Sequence, residues 1–334
     1  MENYNIEDIK GKVLIDVNKS GKVIDWREKK LNNLNLSDSY KRLGKEYFKK
    51  SLRVSNCGTY LEYKRFKDDN SMQLNHANFC KVRLCPMCAW RRSLKIYGQV
   101  SKIMNEISSN DEYDFLFLTL TLSNCSSEEL SKSIDLLLKS FQKMSQLKRY
   151  KKSILGHFRA LEVTHNLIND TYHPHLHCVL VVNKSYCKKK ELYISQQEWT
   201  QLWKKSLKID YTPIVHITKF KDRAGKSIEK SVAEASKYTV KSDDYIIKDD
   251  ITGEIIQDLT DKSVKILDRA LANRRLIAFG GLLKDIFQLL NLDDPEDGDL
   301  VNTDNEEIRA DLNYVIEKYL WNIGYRQYIK VERS

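Results

Sequence analysis

One stretch constrains the fold more than any other. Residues 113–240 switch repeatedly between the two-residue period of strands and the 3.6-residue period of helices. Residues 115–122 form a strand run. Ser126-Ser127-Glu128-Glu129 has the form of a capping box, in which the serine oxygen takes a helix amide and the glutamate returns the bond. Leu130, Ile134, Leu137, Phe141 and Met144 then recur at helical spacing. Two more strand runs, 155–164 and 175–182, flank 166–170, which has turn chemistry and predicts an antiparallel hairpin. A helix over 196–207, a strand over 213–220 and a helix over 227–240 complete the series. The order β-α-β-β-α-β-α predicts an α+β fold, an antiparallel sheet covered by helices in the ferredoxin/RRM-like manner.

The flanks read differently. Residues 1–50 are an N-terminal extension with a short strand at Val13-Leu14-Ile15 and a basic helix from Trp26, and no chemistry is visible in them. Residues 51–110 hold Cys57, Cys80, Cys85 and Cys88 and a basic helix, and predict a zinc-binding, DNA-contacting module. Residues 111–250 form the sheet domain. Residues 251–334 read as a helical C-terminal region: a helix over 262–278, a break at Gly280-Gly281, a helix over 282–290 and a last one over 312–319. Between them, 293–307 carries eight acidic residues and no basic one, the pattern of an exposed linker.

Composition excludes several classes. The 334 residues contain 56 Lys+Arg against 46 Asp+Glu, a formal charge of +10 that points to a polyanion as partner. No apolar run reaches the roughly 18 residues of a membrane span, and the N-terminus has no apolar signal core, so a cytoplasmic protein with no membrane partner is expected. With seven cysteines and no export signal, the thiols read as metal ligands, core residues or catalysts rather than disulfides.

Cys80-x4-Cys85-Pro-Met-Cys88 places a knuckle turn between two thiols that can reach one ion. Structural zinc needs four such ligands. Cys57 completes the set, with His76 as the alternative. Around the cluster, Lys81, Arg83, Arg91, Arg92, Lys95 and Lys102 supply six positive charges between 80 and 104, with Trp90 and Tyr97 interleaved. Cations for phosphates and aromatics for bases make Lys81, Arg83, Arg91, Arg92 and Lys95 the expected DNA contacts.

Three of the seven histidines fall in His173-Pro174-His175-Leu176-His177. Side chains alternate along a strand, so His175 and His177 share a face and form a divalent-metal half-site. His173, at the mouth beside Pro174, is a further candidate ligand. On the preceding strand, Glu162 and His165 point to opposite faces, and Glu162 is the preferred third ligand. Further on, Glu234 and Tyr238 are four residues apart and share one helix face. A phenol can attack a phosphodiester, but its free pKa of about 10 means that it needs help, which a divalent ion such as Mg²⁺ or Mn²⁺ provides. Lys237 or Lys241 could assist, and Tyr245 is the rival nucleophile.

Phe117-Leu-Thr-Leu-Thr-Leu122, then Glu162 and His173-Pro-His175-Leu-His177, then Glu234-x3-Tyr238 resemble the three ordered motifs of HUH endonucleases. Their order and spacing are similar to those of the rolling-circle plasmid replication initiator (Rep) proteins of Gram-positive bacteria. The segment Phe79 to Arg92 resembles that family's cysteine segment, and Arg274 to Lys284 its C-terminal part. The resemblance implies His175 and His177 as paired metal ligands with Glu162 as the acidic third. It implies Tyr238 as the nucleophile that nicks the plasmid double-strand origin and stays on the 5′ phosphate. Glu234 would then activate water for the terminating cleavage, and a host replicative helicase would be the partner. Homodimerisation is left open. An HUH transposase or relaxase is the same-fold alternative, and a zinc-containing DNA-binding regulator the alternative of a different class.

Overall fold

The computed structural model describes residues 9, 11–18, 21–220, 232–233, 236, 240–304, 309 and 313–331. The chain divides into two compact units, each assembled from non-consecutive stretches: Met1–Arg91, Tyr245–Lys265 and Asp299–Ser334 form one, Arg92–Asp244 and Ile266–Gly298 the other. These units cut across the four consecutive blocks expected from the sequence.

The second unit contains the element series that opened the sequence reading. In chain order, β3 (Tyr113–Thr121), α4 (Leu130–Gln146), α5 (Lys148–Ser153), β4 (Gly156–Asn166), β5 (Thr171–Asn183), α6 (Gln196–Leu207) and β6 (Val215–Lys219) build it. With β7 (Ile277–Gly281) from later in the chain, the sheet order is β6-β3-β5-β4-β7, and each neighbouring pair is antiparallel. The first four strands thus take the order of two interleaved β-α-β units, as the ferredoxin-like expectation requires. Leu130, Ile134, Leu137, Phe141 and Met144 are all buried on α4, which packs against β5 and α6. The capping box is only half made: the Ser126 amide donates to the Glu129 carboxylate at 3.2 Å, but the helix starts at Leu130, after a turn. Ser195 caps α6 by accepting the Glu198 amide. The helix expected over 227–240 lies largely outside the described residues.

The first unit holds α1 (Trp26–Arg42), α2 (Phe48–Asn56), β1 (Tyr60–Phe66), β2 (Met72–Ala77) and the first turn of α3 (Pro86–Ser108). With β8 (Tyr314–Asn322) and β9 (Gln327–Lys330) from the end of the chain, its four-stranded antiparallel sheet has the order β2-β1-β8-β9. Val13 makes only an isolated bridge to Ile329, not a strand of its own.

The helical C-terminal region is corrected by the structure. After α7 (Gln257–Leu271) comes a strand, β7 (Ile277–Gly281), then α8 (Leu282–Leu289), and then two more strands, β8 (Tyr314–Asn322) and β9 (Gln327–Lys330). Gly280 and Gly281 belong to β7, which pairs with β4. Gly281 has φ +55, and a Cβ there would lie 2.3 Å from the Leu155 carbonyl oxygen, so only glycine lets the two backbones cross. The supposed last helix is β8, where Glu317 and Tyr319 are buried and Lys318 and Leu320 exposed. That two-residue period follows from pairing with β1, a partner some 250 positions away in the chain, and Val315, Ile316 and the aromatics suit it.

The acidic run is not an exposed linker over its described part, 293–304. Glu296 is buried, and its carboxylate accepts the Leu276 amide at the start of β7. Cations of α3 bind the same segment, as described below.

Candidate metal and nucleic-acid sites

The hairpin β4–β5 sets Glu162 directly opposite His175. Alternation along β5 brings His177 to the same face. The three ligand atoms converge: Glu162 Oε2 is 2.8 Å from His177 Nε2 and 3.2 Å from His175 Nε2, and the two Nε2 atoms are 3.2 Å apart. These separations match the adjacent corners of an octahedron with metal–ligand bonds of about 2.1 Å, whose edges are about 3.0 Å. All three residues are buried.

The outer nitrogens fix the rings. His175 Nδ1 lies 3.2 Å from the His173 carbonyl oxygen. A carbonyl only accepts, so Nδ1 is the donor in that contact and Nε2 is the ring atom left to face the centre. His177 Nδ1 lies 3.3 Å from Thr119 Oγ1, and its ring stacks on Phe117 at 5.5 Å. This is the outer arrangement that metal-bound imidazoles use. Thr119 and Phe117 stand on β3 with Thr119 opposite His177, a contact visible only once strands are paired. Burial raises the Glu162 carboxyl, but hydrogen bonds and charge from His175 and His177 outweigh burial and hold it well below the usual carboxylate range. The donor set, one anionic oxygen and two imidazole nitrogens, fits a divalent cation.

His173 stacks on His175 with ring centroids 5.1 Å apart, but its nitrogens are not among the converging atoms. The structure thus separates it from the other three. His165 faces away, stacked on Tyr172 at 4.3 Å and bonded to Asp170 and Asp244. Lys241 brings its Nζ to 3.7 Å from Glu162 Oε1 and remains half-exposed. Tyr245 is 1 % exposed, and its hydroxyl donates to the Leu84 carbonyl, so it is not available as a nucleophile. Glu234, Lys237 and Tyr238 lie outside the described residues.

The second cluster joins Cys57, Cys80, Cys85 and Cys88. Cys57 follows α2, Cys80 and Cys85 flank the loop before α3, and Cys88 lies in its first turn. The Sγ separations are 3.5 Å for Cys57–Cys88, 3.5 Å for Cys57–Cys85 and 3.7 Å for Cys80–Cys88. A tetrahedron with zinc–sulfur bonds of about 2.3 Å has edges of about 3.8 Å. Cys57 therefore takes the fourth place, and His76 stands exposed on β2, outside the group. A Cβ on Gly58 would meet Met87 Sδ at 2.2 Å, so glycine lets the chain pass beneath α3 here. Hydrogen bonding with the Cys80 thiol raises Cys57, and burial raises Cys85, both well above the ordinary thiol range. Thiols that resist ionising on their own ionise beside a dication, so this donor set fits zinc.

The DNA-contact expectation needs correction at three of its five residues. Arg91, Arg92 and Lys95 are buried. Arg91 donates to the carbonyls of Leu300 and Val301 at 2.8 and 2.6 Å. Arg92 donates to the Glu296 carbonyl at 2.8 Å, and Lys95 pairs with Asp293 at 2.6 Å. The acidic segment, not solvent, covers that side of α3, so these cations hold the fold. Trp90 likewise packs on Trp26 at 5.0 Å. Lys81 is exposed and Arg83 half-buried, both beside the cysteines. No helix among the described residues is long and apolar enough to cross a membrane.

Comparison with known proteins adds an independent line. Residues 71–329 match the family model described as "Replication protein". A "Protein rep" from Bacillus amyloliquefaciens is 42 % identical over 95 % of this chain and 97 % of its own. A "Protein rep" from Streptococcus pneumoniae serotype 2 is 39 % identical over 98 % of both chains. A "Replication protein" from Staphylococcus aureus is 36 % identical over 69 % of this chain and 96 % of its own. No solved structure matches the chain.

Proposed function

The chain belongs to the replication protein family of rolling-circle plasmid Rep proteins, and from that premise we propose that it starts replication by nicking one strand of the plasmid's double-strand origin, with Tyr238 as the nucleophile. The Tyr238 oxygen attacks the scissile phosphorus, the bond to the 3′ oxygen breaks, and the 5′ phosphate stays on the tyrosine. The freed 3′ hydroxyl then primes leading-strand synthesis.

Glu162, His175 and His177 would hold the divalent cation, Mg²⁺ or Mn²⁺. When bound, it supplies positive charge to the phosphate oxygens as negative charge builds there. Thr119 and the His173 carbonyl keep the two imidazoles turned toward that point, and Lys237 or Lys241 adds a cation beside it. In the terminating cleavage Glu234 accepts a proton from water, so that hydrolysis ends the round without a second covalent adduct. Cys57, Cys80, Cys85 and Cys88 would hold a structural zinc, with Lys81 and Arg83 set toward phosphates. The host replicative helicase follows at the nick, and a cytoplasmic setting and a homodimer fit the same reading.

The observation that carries this proposal is the convergence of one carboxylate of β4 and two oriented imidazoles of β5 within 3.2 Å on one face of the sheet. The test is nicking of supercoiled origin plasmid with Mg²⁺ or Mn²⁺. Tyr238→Phe should retain origin binding and lose nicking, and chelation should stop the wild type. Nicking that persists in the Tyr238→Phe protein would end the assignment.

A further inference from the structure

Residues 1–50 showed no chemistry in the sequence, yet α1 within them, with α2, lies against the four cysteines. Lys30 on α1 is 0 % exposed, and its Nζ donates to the carbonyls of Cys57 at 2.7 Å and Ser55 at 2.6 Å. Arg53 on α2 donates to the carbonyl of Cys80 at 2.6 Å. Both cations thus grip the backbone of a cysteine in the cluster. Asn33, also 0 % exposed, has its Oδ1 3.0 Å from Cys85 Sγ, while its Nδ2 has no partner among the described residues. The amides of Cys80, Lys81 and Val82 point at the sulfurs of Cys57, Cys88 and Cys80 at 3.3, 3.3 and 3.4 Å.

Charge and proton counting link these facts. Four thiolates around a dication leave two negative charges in a buried place, where uncompensated charge is costly. Lys30 and Arg53 bring two positive ones. A metal-bound Cys85 has no proton to give Asn33. Their contact then survives only with the side-chain amide turned round, so that Nδ2 donates to sulfur. That turn also gives the orphaned amide its partner.

We infer that Lys30, Arg53 and Asn33 are the outer layer of the four-cysteine site, neutralising the tetrathiolate and orienting Cys85, which makes the N-terminal helices part of the metal centre. This inference rests on the zinc reading of the cysteines. Lys30, Arg53 and Asn33 are positioning residues, acting through carbonyls and a sulfur rather than on the metal itself.

The experiment uses the full chain in wild-type, Asn33→Leu, Arg53→Ala, Arg53→Lys and Lys30→Met forms. Zinc content, zinc affinity by competition with a chelator, and the cobalt(II) absorption spectrum are measured on each. The wild type should hold a single zinc and give a four-sulfur cobalt spectrum. Asn33→Leu and Arg53→Ala should lose about 10–100-fold in zinc affinity, as outer-layer partners typically do. Arg53→Lys should recover most of it, and Asn33→Leu should shift the sulfur-to-cobalt band while keeping four sulfurs. If Lys30→Met does not fold, the other variants decide. A wild type that binds zinc with variants of unchanged affinity and spectrum would overturn the outer layer alone. A wild type that takes up no zinc would overturn the zinc reading beneath it.

Discussion

His157 should make the fold acid-sensitive within a narrow window. It stands on β4, the strand that also carries Glu162, with its ring 5.0 Å from Phe141 and its Nδ1 3.1 Å from the Tyr150 hydroxyl. Burial, helped by the charge of Arg159, pushes it down from 6.5 to about 4. The folded state therefore disfavours the imidazolium, and the unfolded chain binds the proton more readily. Stability from this residue is complete above pH 6.5 and is lost as pH falls toward 4. A displacement of that size is worth about 3 kcal/mol in full, of which about 2 kcal/mol is lost between pH 7 and pH 5. Carboxylates also titrate near the lower limit, so the measurement is a difference. Urea unfolding of wild type and His157→Gln at both pH values should show a pH-dependent loss larger by about 2 kcal/mol in the wild type. Equal losses in the two proteins would refute the account of a buried neutral imidazole.

Three further outcomes follow from the same geometry. Glu162→Gln and His177→Ala should each cut nicking by a factor on the order of 100 or more, with Mn²⁺ binding weakened in parallel by calorimetry; a change under threefold would contradict the ligand assignment. Lys81→Ala and Arg83→Ala should each lower the slope of origin affinity against salt by about 1, whereas Arg92→Ala should leave that slope alone and cost about 2 kcal/mol of stability, read by binding titrations and thermal melts. Gly281→Ala should destabilise by about 3 kcal/mol, from backbone strain together with the clash at Leu155, and an unchanged melting temperature would show that β4 and β7 can part there at little cost.

The sequence exposed what is local. The α4 stripe, the α6 span, the hairpin over 166–170 and the shared face of His175 and His177 all follow from period and turn chemistry within a short window. Strand parity allows only one of Glu162 and His165 to join the histidines, and the paired register, with Glu162 opposite His175, agrees with the preference for Glu162. What local patterns hid is non-local pairing. β8 looks helical until β1 is placed beside it, and β7 looks like a glycine break until its backbone meets β4. Charge runs misled for a related reason. Arg91, Arg92 and Lys95 read as DNA contacts, and 293–307 as an exposed acidic linker, because a linear scan cannot see that α3 and the described part of that segment cover each other. Residues 1–50 carried no motif, and Lys30 and Arg53 act on backbone carbonyls, which leave no mark in the sequence.

The central claim is a tyrosine-linked nick, and it is tested most directly on the covalent product. The protein is incubated with supercoiled plasmid carrying the double-strand origin and Mn²⁺, the complex is digested with protease, and the peptide left on the DNA is identified by mass spectrometry. The account predicts a peptide joined through Tyr238 to the 5′ phosphate at a single position in the origin. A peptide joined through another residue, or nicked circles that carry no peptide at all, would contradict it.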